Sequence, residues 1–251
     1  VQGPGTDPSA STYIDGVYQA RFFSSLVDLL DVERVEVLKG PQGTLYGRNS
    51  TGGAIKYISK NPGTEFGGAL KAELGSYNLR KLSATMDLPL IEDTLLLRAV
   101  ILKEDRDGYT ESVINSVELD REDKILGRLT LQYIPSDDLN IVLHASAINE
   151  DGDTAAPKAT IGPNPGFLAG ARIIDDPRKV VAEYAREMPI RVRAVDATVN
   201  WDLDWAAFTS ITGYTDIKQG PYIEDFDGTE NPVFAQGRPA MDGAPALDGY
   251  R

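Results

Sequence analysis

From Gly63 onward, apolar and polar residues alternate in long segments separated by turns. In ALKAELG, Leu70, Ala72 and Leu74 share one face while Lys71 and Glu73 take the other. Leu82, Ala84, Met86 and Leu88 alternate with Ser83, Thr85 and Asp87. The same period of two sets Ile125, Gly127, Leu129, Leu131 and Tyr133 against Arg128, Thr130 and Gln132. Leu139, Ile141, Leu143 and Ala145 alternate with Asn140, His144 and Ser146, with Val142 out of pattern. Val195, Ala197, Val199 and Trp201 alternate with Asp196, Thr198, Asn200 and Asp202. Two segments are less regular. Leu95 to Leu102 is mostly apolar, with only Arg98 to mark a face, and Ala206 to Ile217 is mixed. The pattern predicts about seven strands of about ten residues each, a length that suits a tilted membrane-crossing strand. Typical soluble strands are shorter, at about five or six residues.

The links between these segments differ by side. Those at Pro89 to Asp93, Pro135 to Asp138 and Leu203 to Asp204 are short turns, whereas 106–123, 151–193 and the stretch after Gln219 are long. Only Gly75 to Asn78 is short among the second set. Segregation of loop length by side is what an outer-membrane barrel shows, and a water-soluble meander has no reason to produce it. The polar face is also too charged and too continuous for a sandwich core. Tyr77, Tyr133, Trp201 and Trp205 fall at strand ends, where interfacial aromatics belong. Within the longest link, DPRKVVAEYAREM (Asp176 to Met188) has helical periodicity, with Val180, Val181, Tyr184 and Ala185 on one face. Pro177 sits at a first helical position and Pro189 follows the end, so a surface helix is expected there.

The N-terminal part reads differently. Tyr13 to Tyr18 is a short strand, Gln19 to Phe23 a loop, and Ser25 with Asp28 a capping-box start for a short helix through Leu30. Glu33 to Lys39 alternates, with Val35 and Val37 on one face. Two glycine-rich turns around one short helical turn follow, and Ala54 to Ser59 resumes an extended pattern. Neither GxxxxGK[ST] nor GxGxxG occurs in this run, so a nucleotide site is not indicated. On its own, the run is also compatible with a soluble α/β piece whose glycines only make turns.

Composition narrows the classes. Lys+Arg 25 against Asp+Glu 38 gives a net charge of −13, which argues against a nucleic-acid partner. The acidic excess lies largely in polar segments such as NEDGD (Asn149 to Asp153) and YIEDFDGTE (Tyr222 to Glu230), which read as solvated loops. There is no cysteine, and the single histidine, His144, has no partner at metal-ligand spacing and reads as a polar wall residue. No run is long and apolar enough for a membrane helix, which leaves a barrel open. The chain lacks an initiator Met and opens on the loop-like VQGPGTDPSA, so it is expected to begin inside a longer protein. No nucleophile triad, paired carboxylates or metal cluster can be assembled, so neither an enzyme nor a bound cofactor is expected.

STYIDGVYQ (Ser11 to Gln19), SSLVDLLDVERVEVLKG (Ser24 to Gly40) and the continuation through ISK (Ile58 to Lys60) resemble the second half of the plug domain of TonB-dependent outer-membrane receptors. The resemblance covers the first quarter of the chain closely. It implies a membrane all-β fold: a partial antiparallel transmembrane β-barrel, 22-stranded in the whole family, preceded by part of a small α/β plug. The expected division is plug over 1–62 and barrel over 63–251. In ferric-siderophore members, the loop matching Gln19 to Phe23 is a plug apex that touches ligand. The resemblance therefore assigns Gln19, Arg21, Phe22 and Phe23 to ligand contact, although Phe22 or Phe23 could instead staple the helix to the plug core. Lys39 matches a position, often Arg, that forms a salt bridge to glutamates of the inner barrel wall. Lys56 departs from the family's usual Asn after GGAI, which puts one local hydrogen bond in doubt.

The function implied is active import across the bacterial outer membrane. The energy comes from TonB and its inner-membrane complex, the surroundings are outer-membrane lipid, and the cargo is a small molecule such as an iron–siderophore complex. Cobalamin, haem, oligosaccharides and plant-derived aromatics fit the same architecture, as does a signalling or adhesion receptor without net transport. With about seven strands and two open sheet edges, the chain alone is not expected to insert stably, since unpaired backbone groups in hydrocarbon cost several kcal/mol each.

Overall fold

The computed structural model describes residues 9–19, 31–47, 49–113, 116–154, 174, 176–180 and 186–220. The N-terminal part is a small sheet of β1 (Ala10–Ile14), β2 (Val17–Gln19), β3 (Val32–Lys39) and β4 (Gly53–Ser59). Its order is β2-β1-β4-β3, with β1 and β4 parallel and the other pairs antiparallel. One helical turn, α1 (Gly43–Tyr46), lies between β3 and β4. It is tied to β1 by the Tyr13 hydroxyl, which donates to the Tyr46 carbonyl at 2.6 Å. The single strand expected from Tyr13 to Tyr18 is instead a hairpin. Asp15 (φ 48°) and Gly16 (φ 82°) both adopt left-handed backbone, as a two-residue turn matched to strand twist requires. The chain re-enters the sheet at Gly53 with φ 143°, where a Cβ would lie 2.2 Å from the Leu38 carbonyl oxygen.

The rest of the described chain is β5 (Gly67–Leu74), β6 (Arg80–Ile91), β7 (Leu95–Arg106), β8 (Thr110–Ser112), β9 (Glu118–Leu119), β10 (Glu122–Ser136), β11 (Leu139–Thr154), β12 (Lys179–Val180), β13 (Arg186–Leu203) and β14 (Ala206–Gln219). Seven of these form one sheet in the order β14-β13-β11-β10-β7-β6-β5, every neighbour antiparallel. The short turns at 92–94, 137–138 and 204–205 fall at one end, and the short link at 75–79 falls at the other. β11 and β13 run to 16 and 18 residues, well past their apolar stretches, because their polar ends continue the ladder through pairs such as Asn149↔Arg191.

Register settles which face is which. Met86, Ala99, Leu129, Ala145, Val195 and Tyr214 form one row across six strands. The adjacent row, on the opposite face, is Asp87, Arg98, Thr130, His144 and Asp196. The apolar row looks away from the small sheet and the polar row looks toward it. Leu70 is 75% exposed, and Leu82 and Leu129 are 51% exposed, whereas Arg98, Thr130 and His144 are buried. The ambiguous stretch of β7 resolves the same way, with Leu96, Arg98, Val100 and Leu102 all turned inward and buried. On β10 the outward face from Ile125 to Tyr133 covers about 27 Å along the strand at about 3.4 Å per residue. At the tilt of about 40° typical of barrel strands, that length would cover about 21 Å along a barrel axis. Tyr133, Trp201 and Trp205 are exposed toward the short-turn end. Tyr77 lies at the other end, its ring 5.7 Å from that of Tyr109.

Where Asp176 to Met188 is described, it is turn and strand instead of the expected helix, and 181–185 of that span lie outside the described residues. Pro177 and Arg178 make a turn, β12 pairs in parallel with β8, and β13 has begun by Arg186. The open edge of the β8–β9 hairpin supplied the competing partner. Glu111 N donates to the Arg178 carbonyl at 2.8 Å, Val113 N donates to the Val180 carbonyl at 2.9 Å, and Val180 is buried against Leu119. Pro189 does not stop a helix. It lies within β13 opposite Asp151, where its carbonyl accepts from Gly220 N–H at 2.8 Å.

Candidate functional site

The polar row of the wall meets the small sheet along a seam, and each contact pairs a plain feature of one with a charged position of the other. Arg98, inward on β7, spreads its guanidinium between two carboxylates. Nε donates to Asp31 Oδ1 at 2.9 Å, and Nη1 donates to Asp87 Oδ1 and Oδ2 at 2.8 and 2.7 Å. Asp31 immediately precedes β3, so this fork fastens the small sheet to β6 and β7 together. Both partners of the Arg98–Asp31 pair are buried. Removing one member of such a pair strands the other charge.

A second group centres on the β1–β2 turn. Arg128 Nη1, from β10, donates to Ser59 Oγ at 2.7 Å. Ser59 in turn gives its hydroxyl to Asp15 Oδ2 at 2.7 Å and its backbone N–H to Asp15 Oδ1 at 2.8 Å. On the far side of Asp15, His144 Nδ1 lies 3.9 Å from Asp15 Oδ2 and 2.7 Å from Asp196 Oδ1. His144 and Asp196 are direct register partners on β11 and β13. A cavity of about 40 Å³ opens beside them, lined in part by Asp15, Gln19, Arg128, His144 and Asp196. The two surfaces approach closely enough that side chains are excluded at two glycines. A Cβ at Gly213 of β14 would meet Val17 at 2.6 Å, and one at Gly16 would meet Ile211 at 2.7 Å.

The residues singled out in the sequence fall in several places. Gln19 ends β2, is buried, and gives Nε2 to the Val17 carbonyl at 3.1 Å. Arg21, Phe22 and Phe23, with the helix expected through Leu30, lie outside the described residues. Lys39 ends β3 opposite Gly53 and is exposed. Lys56 donates to its cross-strand partner Glu36 at 2.8 Å. The Lys56 ammonium and then Arg34 hold the Glu36 carboxyl below the usual glutamate range.

The seam residues Asp15, Asp31, Arg98, Arg128 and Asp196 were not recognised from sequence, and His144 was read only as a wall residue. For the wall members a signal exists: Arg128, His144 and Asp196 are charged or titratable side chains on the polar face of an apolar-alternating strand, and Arg98 is the one charge in the apolar stretch from Leu95 to Leu102. For Asp15 and Asp31 no local pattern marks the partner.

With the geometry in hand, the comparisons with known proteins are direct. The family model described as the TonB-dependent Receptor Plug Domain matches residues 1–54. The catecholate siderophore receptor Fiu of Escherichia coli K12 is 40% identical over 101 residues, which is 40% of this chain and 13% of Fiu. The pesticin receptor of Yersinia enterocolitica is 28% identical over 132 residues, 52% of this chain and 20% of that protein. Among solved structures, the ferric yersiniabactin uptake receptor FyuA from Yersinia pestis superposes with a TM-score of 0.72 at 22% identity. That match covers 85% of this chain and 32% of FyuA, and it shows a shared fold. The alignments thus take in a fifth or less of the length of these curated relatives and about a third of the solved one.

Proposed function

The chain belongs to the TonB-dependent receptors, and on that premise we propose that it is part of an energised importer of the bacterial outer membrane. The plug would take up residues 1–62 and the first strands of the barrel would follow from 63. The observation that carries this reading is the inversion of the seven-stranded sheet, apolar outward and polar toward the small sheet. A plug seated on a wet inner wall can be moved without exposing a dry core, which is what passage of cargo needs. Among the described residues, the polar holding contacts are Asp31 to Arg98, Ser59 to Arg128, and Asp15 to His144. TonB, driven from the inner membrane, would pull from the periplasmic side and break them in turn.

The cargo class we favour is an iron–siderophore complex. Support comes from the named activities of Fiu, a catecholate siderophore receptor, and FyuA, a ferric yersiniabactin uptake receptor. Arg21, Phe22 and Phe23 would meet it at the plug apex, the guanidinium offering a fixed fork of donors and the rings apolar contact. Gln19, buried at the base of that loop, would support the apex from within. Lys39, exposed at the end of β3, would be free to reach a carboxylate of the barrel wall. The test is uptake of ferric siderophores by cells carrying the full-length gene, with and without TonB. Equal uptake in the two strains rules the proposal out.

A further inference from the structure

We propose that Asp15, His144 and Asp196 form a binding site for one divalent transition-metal cation of the zinc class, clamping the plug turn to two wall strands. The donor atoms are an imidazole nitrogen and two carboxylate oxygens, all within 4.8 Å of one another. In a tetrahedral zinc site with bonds of about 2.0–2.2 Å, ligand atoms stand about 3.4 Å apart. The separations from His144 Nδ1, 2.7 Å to Asp196 and 3.9 Å to Asp15, straddle that value and need side-chain adjustments of about half an ångström or slightly more. One nitrogen and two oxygens suit a borderline cation, and three ligands are too few for calcium, which takes six to eight oxygens.

Three further observations point to a ligand. The carboxylates of Asp15 and Asp196 are 9% and 13% exposed, and among the described residues neither has an ammonium or guanidinium within ion-pair distance. Arg128 reaches Asp15 only through Ser59. Two largely buried carboxylates share a single imidazole, and closing off water makes such a concentration of negative charge expensive. The cavity beside them, about 40 Å³, has room for an ion with a completing water, since about 15 Å³ suffices for a water. Finally, an outer shell is already built. Ser59 fixes both oxygens of Asp15, and Arg128 fixes Ser59, as ligand-orienting partners do in metal sites.

A bound cation would join a turn of the plug to β11 and β13, so metal occupancy would set how firmly the plug is held. The inference rests on the seating of plug on wall and not on the cargo, so the uptake assay and the metal assay fail independently. The experiment uses the full-length receptor in detergent, stripped with chelator and titrated with Zn²⁺ alone against a chromophoric competitor. One zinc per receptor is expected, with affinity falling about tenfold or more in His144→Ala and in Asp196→Asn. Unchanged stoichiometry and affinity in both variants overturn the proposal, as does the absence of zinc binding in the parent. Because a variant could loosen the fold, crystals of the unmutated receptor soaked in Zn²⁺ give a second readout. An anomalous peak between His144 Nδ1 and the two carboxylates supports the site, and its absence at full soak overturns it.

Discussion

The two faces of the seven-stranded sheet reverse the order of a soluble protein. One face carries Leu70, Leu82, Met86, Leu129 and Val195 into the surroundings, and the other buries Arg98, Arg128, Thr130 and His144. Backbone, register and strand length are common to both, so the difference lies wholly in side chains one residue apart. The outer face is stable only where the solvent is itself apolar. The inner face holds its buried arginines through polar partners, Asp31 and Ser59 from the small sheet and Asp87 from the wall itself. On the proposed reading, the wall is defined from both sides, by lipid and by plug.

The comparison breaks most readily at the seam's permanent charge. Arg98→Ala in the full-length receptor leaves Asp31 and Asp87 buried without a counter-charge. It should destabilise the plug-bearing state by about 3–5 kcal/mol, read as loss of plug protection in limited proteolysis. An unaltered protection pattern would mean that Arg98 does not hold the plug. Leu129→Arg attacks the other face with the same kind of group. If that face meets hydrocarbon, the cost is about 2–4 kcal/mol near the midplane, measured by unfolding in lipid vesicles. A cost near zero would place Leu129 in water and undo the assignment of faces.

Smaller effects sharpen the picture. Gly213→Leu forces bulk against Val17, and overpacking of this kind costs about 1–3 kcal/mol. It should lower the thermal midpoint only while the plug is seated, so a plug-deleted barrel bearing the same substitution should melt unchanged. Glu36→Gln is the mildest. Its carboxyl is held low by Lys56 and Arg34 at an exposed position, so the contribution is full above the usual glutamate range. It fades as pH falls through the lowered value. The variant should match the parent at acidic pH and fall slightly behind it near neutrality, by thermal melting.

Much of this was legible in residue order. The outward rows from Leu70 to Trp201 follow directly from alternation, and the glycine-rich run between Lys39 and Gly53 announced two turns around a helical turn. One reading failed and one stayed open, for the same reason. Val180 has a helical neighbourhood in sequence, yet the edge of β8 offered hydrogen bonds that local periodicity cannot anticipate. Leu95 to Leu102 has too few polar residues to reveal a face, and the register with β6 and β10 had to assign it.

Period-two patterning needs only neighbouring residues, and it was sufficient to establish the strands, their apolar face and the side on which long links gather. The seam is of another kind. His144 and Asp196 meet through the register of β11 with β13, and Asp15, which shares no motif with them, joins them only because the small sheet seats on that wall. Side-chain identity sets what each position can do, and long-range register alone sets whom it meets.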